Sequence, residues 1–108
     1  MNHPYSPTAP QRSETDTWPG ATVLEFGTDG CGHCRAAQPL IAAALARVAA
    51  VRHVKIEDGP GRALGRSFRV KLWPTLIVLR DGREVARVVR PNHAGELEQA
   101  LAALNGEN

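Results

Sequence analysis

Two cysteines three positions apart, Cys31 and Cys34, stand between a strand-like run and a helix-like run, and this placement constrains the chain most. Ala21-Thr22-Val23-Leu24-Glu25-Phe26 reads as a buried strand interrupted by one carboxylate. Gly27-Thr28-Asp29-Gly30 is a loop that delivers Cys31-Gly32-His33-Cys34. From Gly32 to about Ala50 the pattern turns helical, with Ile41, Ala44, Leu45 and Val48 on one face and alanines that favour helix. Pro39 removes the N–H that would bond to the carbonyl of Arg35; the apolar period continues past it, so a kink is expected, not a stop.

A bridge between Cys31 and Cys34 closes a trivial loop and adds little stability. A pair that does not staple the fold serves chemistry or a metal. Zinc requires four ligands, and the remaining candidates His3, His33, His53 and His93 are scattered along the chain. No metal or cofactor is therefore expected. A cysteine just before a helix has its sulfur near the unpaired N–H groups and positive end of that helix, which favours the thiolate. Cys34, one turn further in, is within bridging distance and less exposed. Cys31 is thus expected to attack a substrate disulfide and Cys34 to resolve the mixed disulfide.

The rest of the chain completes an α/β pattern. Residues 1–11, rich in Pro and Ser, read as a flexible arm, followed by a short helix near Arg12–Thr17 and a turn at Trp18-Pro19-Gly20. Val51–Ile56 is a strand, Arg62–Phe68 a short helix and Thr75–Leu79 a near-continuous apolar strand. Asp81-Gly82 is a hairpin turn into Arg83–Val89, and Ala94–Leu104 is an amphipathic helix. This order predicts one domain over 12–106, a mixed central sheet flanked by helices. A length of 108 residues holds one such core without staples. The net charge of +2 argues against nucleic acid or an anionic membrane as partner. No apolar stretch approaches the roughly 20 residues of a membrane span. The N-terminus lacks the pattern of a secretory signal, so a reducing cytoplasm is the expected address.

Cys-Gly-His-Cys between a strand and a helix resembles the thioredoxin superfamily, and the tetrapeptide is the one seen in protein disulfide isomerases. The resemblance runs from about Ala21 to Leu104 and rests on separated marks in order. Glu25, six residues before Cys31, matches the family's buried carboxylate, and Pro39 its kink proline. Pro74 before Thr75 resembles the cis-proline beside the redox pair, and Asp81-Gly82 the hairpin before the terminal helix. The resemblance implies a thioredoxin-like fold and a monomeric reductase of protein disulfides. Its partners would be disulfide-containing proteins and a thioredoxin-reductase-type electron donor. The alternative is a non-catalytic adaptor that holds a partner in the groove beside Pro74.

Further roles are assigned on the same basis. Glu25 in an apolar run is expected to have a raised pKa and to accept the Cys34 proton through a water. Gly32, His33 and His53 are expected to modulate the pair, His33 as an imidazole next to a thiol. His53 aligns with the lysine that commonly partners the carboxylate, with Lys55 nearby. Trp73, Pro74, Thr75 and Arg90 are expected at the substrate groove, Trp73 either as core or as an apolar platform. The chain also departs from the family pattern. Gly30 replaces the usual tryptophan before the first cysteine, Gly27 another common aromatic, and Arg90 a glycine that lines the groove. The run Arg62, Arg66, Arg69 and Lys71 reads as a solvated basic face.

Overall fold

The computed structural model describes residues 4–105. His3, weighed above as a zinc ligand, and Gly106, the expected end of the domain, lie outside them. Along the chain run α1 (Arg12–Thr15), β1 (Ala21–Gly27), α2 (Gly32–Leu45), β2 (Val51–Glu57) and α3 (Ala63–Ser67). They are followed by β3 (Thr75–Arg80), β4 (Arg83–Val89), α4 (Ala94–Ala102) and a 3-10 turn over Ala103–Asn105. One sheet holds the strands in the order β2-β1-β3-β4. β1 is parallel to β2, which requires a crossover, and α2 supplies it. β3 is antiparallel to both β1 and β4. At the β3–β4 turn Asp81 has φ 50° and Gly82 φ 81°, the two left-handed residues that a two-residue hairpin demands. The mixed α/β architecture expected from the element order is the one formed.

Successive side chains alternate across a strand, so the two central strands each feed two cores. Val23 of β1 and Leu76 and Val78 of β3 face α2 and α4, where Ile41, Leu97 and Leu101 close the layer. Leu24 and Phe26 with Ile77 and Leu79 face the other way, against Leu64 and Phe68. The same alternation puts Glu25 on the α2 side of the sheet. The Glu25 carboxylate is thus directed under the helix that carries Cys34.

Four differences from the sequence reading have local causes. Helix α2 passes through Pro39 as expected but stops at Leu45, not near Ala50. The N–H groups of Arg47 and Val48 turn back to Ala44 and Leu45, and Ala50 adopts φ 61° at the entry to β2. In β4 the register passes from Val78↔Ala86 to Leu79↔Glu84, leaving Val85 as an extra residue that projects outward. The third difference is the shorter first helix, which ends at Thr15.

The fourth concerns the arm. Pro4–Gln11 does not hang free: Ser6 bridges in parallel to Ile56, donating to the Lys55 carbonyl at 3.0 Å and accepting from the Glu57 N–H at 2.8 Å. The segment covers part of the open β2 edge, which would otherwise present unpaired backbone groups. Arg62 donates to the Pro7 carbonyl at 2.9 Å, and Tyr5 is only 5% exposed. Pro and Ser content signalled a lack of regular structure, which here coexists with tight anchoring.

Candidate active site

β1 ends at Gly27, and the loop to Gly30 places Cys31 as the N-cap residue of α2. Its backbone is extended (φ −87°, ψ 120°), and its Sγ accepts a hydrogen bond from the Cys34 N–H at 3.1 Å. A sulfur that carries charge accepts that bond more strongly than a neutral one. Both cysteines are free; Cys31 is half-buried, Cys34 only 1% exposed. Burial pushes the Cys34 thiol up to about 11, and its hydrogen bond with Cys31 adds to the shift. The pair is therefore asymmetric in both access and proton affinity.

Glu25 is fully buried, yet it is well partnered. Its Oε1 lies 2.8 Å from His53 Nε2, and its Oε2 accepts from Gln38 Nε2 at 2.9 Å and from the Tyr5 hydroxyl. The expected rise in its pKa does not occur. Burial raises it, but the hydrogen bonds from His53, Gln38 and Tyr5 outweigh burial and hold the carboxyl below its usual value. His53 and Lys55 share the role between them. His53, with its side chain 29% exposed, contacts the carboxylate, while Lys55 donates to Gln38 Oε1 at 2.9 Å. Gln38 also donates to the Cys34 carbonyl at 2.9 Å, which locks the amide between helix and carboxylate.

Tyr5 and Gln38 had no role in the sequence reading. Gln38 carried a signal: it lies one turn after Cys34 on the same face of α2. Tyr5 carried none, because contact across 20 residues of chain has no local pattern. Its place is explained by Gly27. A methyl group there would meet Cys34 Sγ at 2.6 Å and Tyr5 Cζ and Oη at 2.8 and 2.9 Å. The room left by a missing side chain on β1 is filled by an aromatic from the arm.

The Trp73–Pro74 peptide bond is cis. Trp73 is half-buried and its indole N–H donates to Asp58 Oδ2 at 2.9 Å. The Asp58 N–H in turn donates to the Gly27 carbonyl at 2.9 Å, so Asp58 ties the tryptophan to the end of β1. Asp58, just past the end of β2, had no role in the sequence reading. Thr75 is buried and opens β3. Arg90, with φ 48°, holds the left-handed backbone that a glycine would take without strain. Its N–H bonds to the Pro74 carbonyl at 2.9 Å and its Nε to the Trp73 carbonyl at 2.8 Å. Gly32 and His33 are exposed on the first turn of α2, and His33 lines a shallow recess with Leu40, Arg90 and Pro91. Arg62, Arg66, Arg69 and Lys71 line a separate recess beside Gly59 and Pro60.

A sequence model described as thioredoxin matches residues 14–103. The chain is 35% identical to a thioredoxin of Echinococcus granulosus over 82 residues, 74% of this chain and 77% of that protein. It is 36% identical to a thioredoxin of Chlamydia caviae over 72 residues, 65% of this chain and 69% of that one. Among solved structures, thioredoxin 2 from Pseudomonas aeruginosa PAO1 in its reduced form superposes with a TM-score of 0.87 at 60% identity, covering 100% of both chains. A thioredoxin of Nicotiana alata gives a TM-score of 0.66 at 28% identity, over 90% of this chain and 82% of that one. A dithiol at the head of α2, a buried carboxylate beneath it and this likeness agree: the chain belongs to the thioredoxin family and is a thiol–disulfide oxidoreductase with Cys31 and Cys34 as its redox pair.

Proposed function

We propose that the protein works as a reductase of protein disulfides, Cys31 attacking and Cys34 resolving. The asymmetry of the pair carries this reading: Cys31 is the accessible sulfur, and Cys34 is buried with its thiol pushed up to about 11. The Cys31 thiolate attacks a substrate disulfide and releases one substrate thiolate. Cys34 then attacks Cys31 Sγ, the Cys31–Cys34 bond forms, and the second substrate sulfur leaves with the electron pair. A thioredoxin-reductase-type donor returns the pair to the dithiol. An adaptor that only held a partner would need neither cysteine nor the buried carboxylate.

Glu25 receives the proton that Cys34 loses. Its carboxyl is held low and the Cys34 thiol high, so a standing transfer in the resting dithiol is uphill. Ionisation of Cys34 therefore belongs to the moment of attack, when negative charge passes on to the leaving substrate sulfur. His53 tunes Glu25 through its 2.8 Å contact, and Gly32 and His33 set the surroundings of Cys31.

Substrate peptide docks beside Pro74. Trp73 is half-buried there, and Leu72 and Val89 leave 48% and 42% of their surfaces exposed on the neighbouring segments. Exposed apolar groups of this kind suit an unfolded or extended chain. Thr75 anchors the loop through its hydroxyl on the Leu72 carbonyl, and Arg90 braces the Trp73 carbonyl of the same loop. The protein acts as a monomer in the cytoplasm, on proteins and not on nucleic acid or membrane. Among the described residues no helix is long and apolar enough to cross a membrane, which is compatible with that address.

The test is disulfide reduction of insulin with dithiothreitol as donor, paired with alkylation of the reduced protein by iodoacetamide at neutral pH. The protein should accelerate reduction, Cys31→Ser should abolish it, and alkylation should reach Cys31 first. Preferential labelling of Cys34 would reverse the assigned roles. No acceleration would remove the reductase reading.

A further inference from the structure

Tyr5 reaches the redox pair from outside the strand–helix unit that carries it. Its hydroxyl donates to Glu25 Oε2 and accepts from Gln38 Nε2 at 3.3 Å. The hydroxyl and the Cys34 sulfur also perturb one another, the sulfur pushing the phenol up and the phenol drawing the thiol down. The two groups crowd the same small space, since one methyl on Gly27 would collide with Cys34 Sγ and with Tyr5 Oη. The ring is held from above by Lys55 Nζ, 4.6 Å from its centre, and the Tyr5 N–H donates to Asp29 Oδ1 at 3.0 Å. Asp29 lies in the loop that delivers Cys31, so arm and active-site loop are tied together.

We propose that the Tyr5 hydroxyl is the proton relay between Cys34 and Glu25, doing with a fixed phenol what a mobile water would otherwise have to do. The inference rests on Cys34 being the resolving cysteine. In the resting dithiol Cys34 S–H donates to Tyr5 Oη, and Tyr5 O–H donates to Glu25. As Cys34 attacks Cys31 Sγ of the mixed disulfide, its proton passes to Oη while the phenol proton passes to Glu25 Oε2. The Cys31–Cys34 bond forms, the Cys31–substrate bond breaks, and the electron pair leaves on the substrate sulfur. Glu25 then returns its proton to solvent. Tyrosine ends as it began, neutral, with its O–H now aimed at sulfur.

The physical advantage lies in the reversal of both hydrogen bonds. A buried thiolate with no donor is expensive, and burial is the main reason that the Cys34 thiol is pushed up. The flipped phenol meets the charge with a donor as it develops. Burial and the Glu25 carboxylate push the phenol itself far above its ordinary value, so it passes a proton through without ever standing ionised.

The experiment uses the reduced full chain with one equivalent of an aromatic disulfide, dithiobis-nitrobenzoate. Attack by Cys31 releases a first coloured thiolate, and resolution by Cys34 releases a second. Tyr5→Phe should leave the first phase within about twofold and slow the second about a hundredfold at neutral pH, the low end of what a positioned proton carrier contributes. The pH profile of the second phase should move upward. Tyr5 is the only tyrosine in the chain, so biosynthetic fluorotyrosine labels that position alone and makes the phenol a better donor. It should move the same profile downward. Packing alone would not produce opposite shifts. A second phase unchanged in both proteins, or shifted the same way in both, would overturn the relay. Should Tyr5→Phe not fold, the fluorotyrosine profile decides by itself. Loss of a two-phase reaction in the unaltered protein would instead overturn the attacking and resolving roles.

Discussion

Gly27→Ala is the substitution whose sign most directly tests the packing of this site. Gly27 has no left-handed backbone, so alanine meets no conformational strain there. At such a position Gly→Ala ordinarily stabilises by about 0.4–1 kcal/mol, because it restricts the unfolded chain. Here the new methyl would lie 2.6 Å from Cys34 Sγ and 2.8 Å from Tyr5 Cζ. Comfortable carbon contacts are about 3.5–4.0 Å, so both neighbours must retreat by about 1 Å. Neither can do so freely: Cys34 is fixed by α2, and Tyr5 is held at its hydroxyl by Glu25 and at its N–H by Asp29. Overpacking of this kind costs about 1–3 kcal/mol. Thermal unfolding should fall by roughly 4–24 °C, at about 4–8 °C per kcal/mol for a domain of this size. Denaturant titration should show a lower midpoint at unchanged slope. Tyr5→Leu should make room for the methyl, so the two substitutions together should depart from additivity by about 1 kcal/mol or more. A stabilised Gly27→Ala protein, or strict additivity with Tyr5→Leu, would refute the crowding.

The parts of this protein legible in its sequence are those with local patterns. Strand–loop–helix around Cys31, the hairpin at Asp81-Gly82 and the apolar stripes of α2 and α4 each repeat over a few residues, and each formed. Glu25 could be singled out because one carboxylate in an apolar strand is anomalous. The direction of its titration could not, because that depends on three donors from three other segments. Their hydrogen bonds oppose the burial that the strand alone implies. Tyr5, Gln38 and Asp58 are long-range partners, and composition actively misled at Tyr5, where Pro and Ser around it suggested a loose arm. The glycine at position 27 marked a departure from the family pattern, and its meaning became clear only with the tyrosine that fills its space. Trp73, left open between core and platform, is half-buried with its indole bound to Asp58.

Glu25→Gln should lower stability at neutral pH by about 1.5–3 kcal/mol, since the amide offers one acceptor where the charged carboxylate serves three donors. The Glu25 carboxyl is held below its ordinary 4.5, so its stabilisation is present above about pH 4.5 and is lost as pH falls through the lower folded value. The gap between the two proteins should therefore narrow in acid; a gap independent of pH would show that the carboxylate is not charged in the folded state. Arg90→Gly should broaden reduction of unrelated disulfide substrates, because it removes a side chain that braces the Trp73 carbonyl at the groove. Unchanged rates for every substrate would place Arg90 outside recognition. His33→Pro should make the pair more reducing. His33 is exposed on the first turn of α2, two residues after Cys31, where an imidazole can supply charge or a hydrogen bond to the Cys31 sulfur. The thiolate exists only in the reduced form, so whatever stabilises it favours reduction and raises the potential. For a two-electron couple each tenfold change in that equilibrium is about 30 mV, and His33→Pro should shift the potential negative by some tens of millivolts. Equilibration against glutathione measures it. No shift, or a positive one, would mean that the imidazole faces solvent and that the end of α2 alone sets the poise.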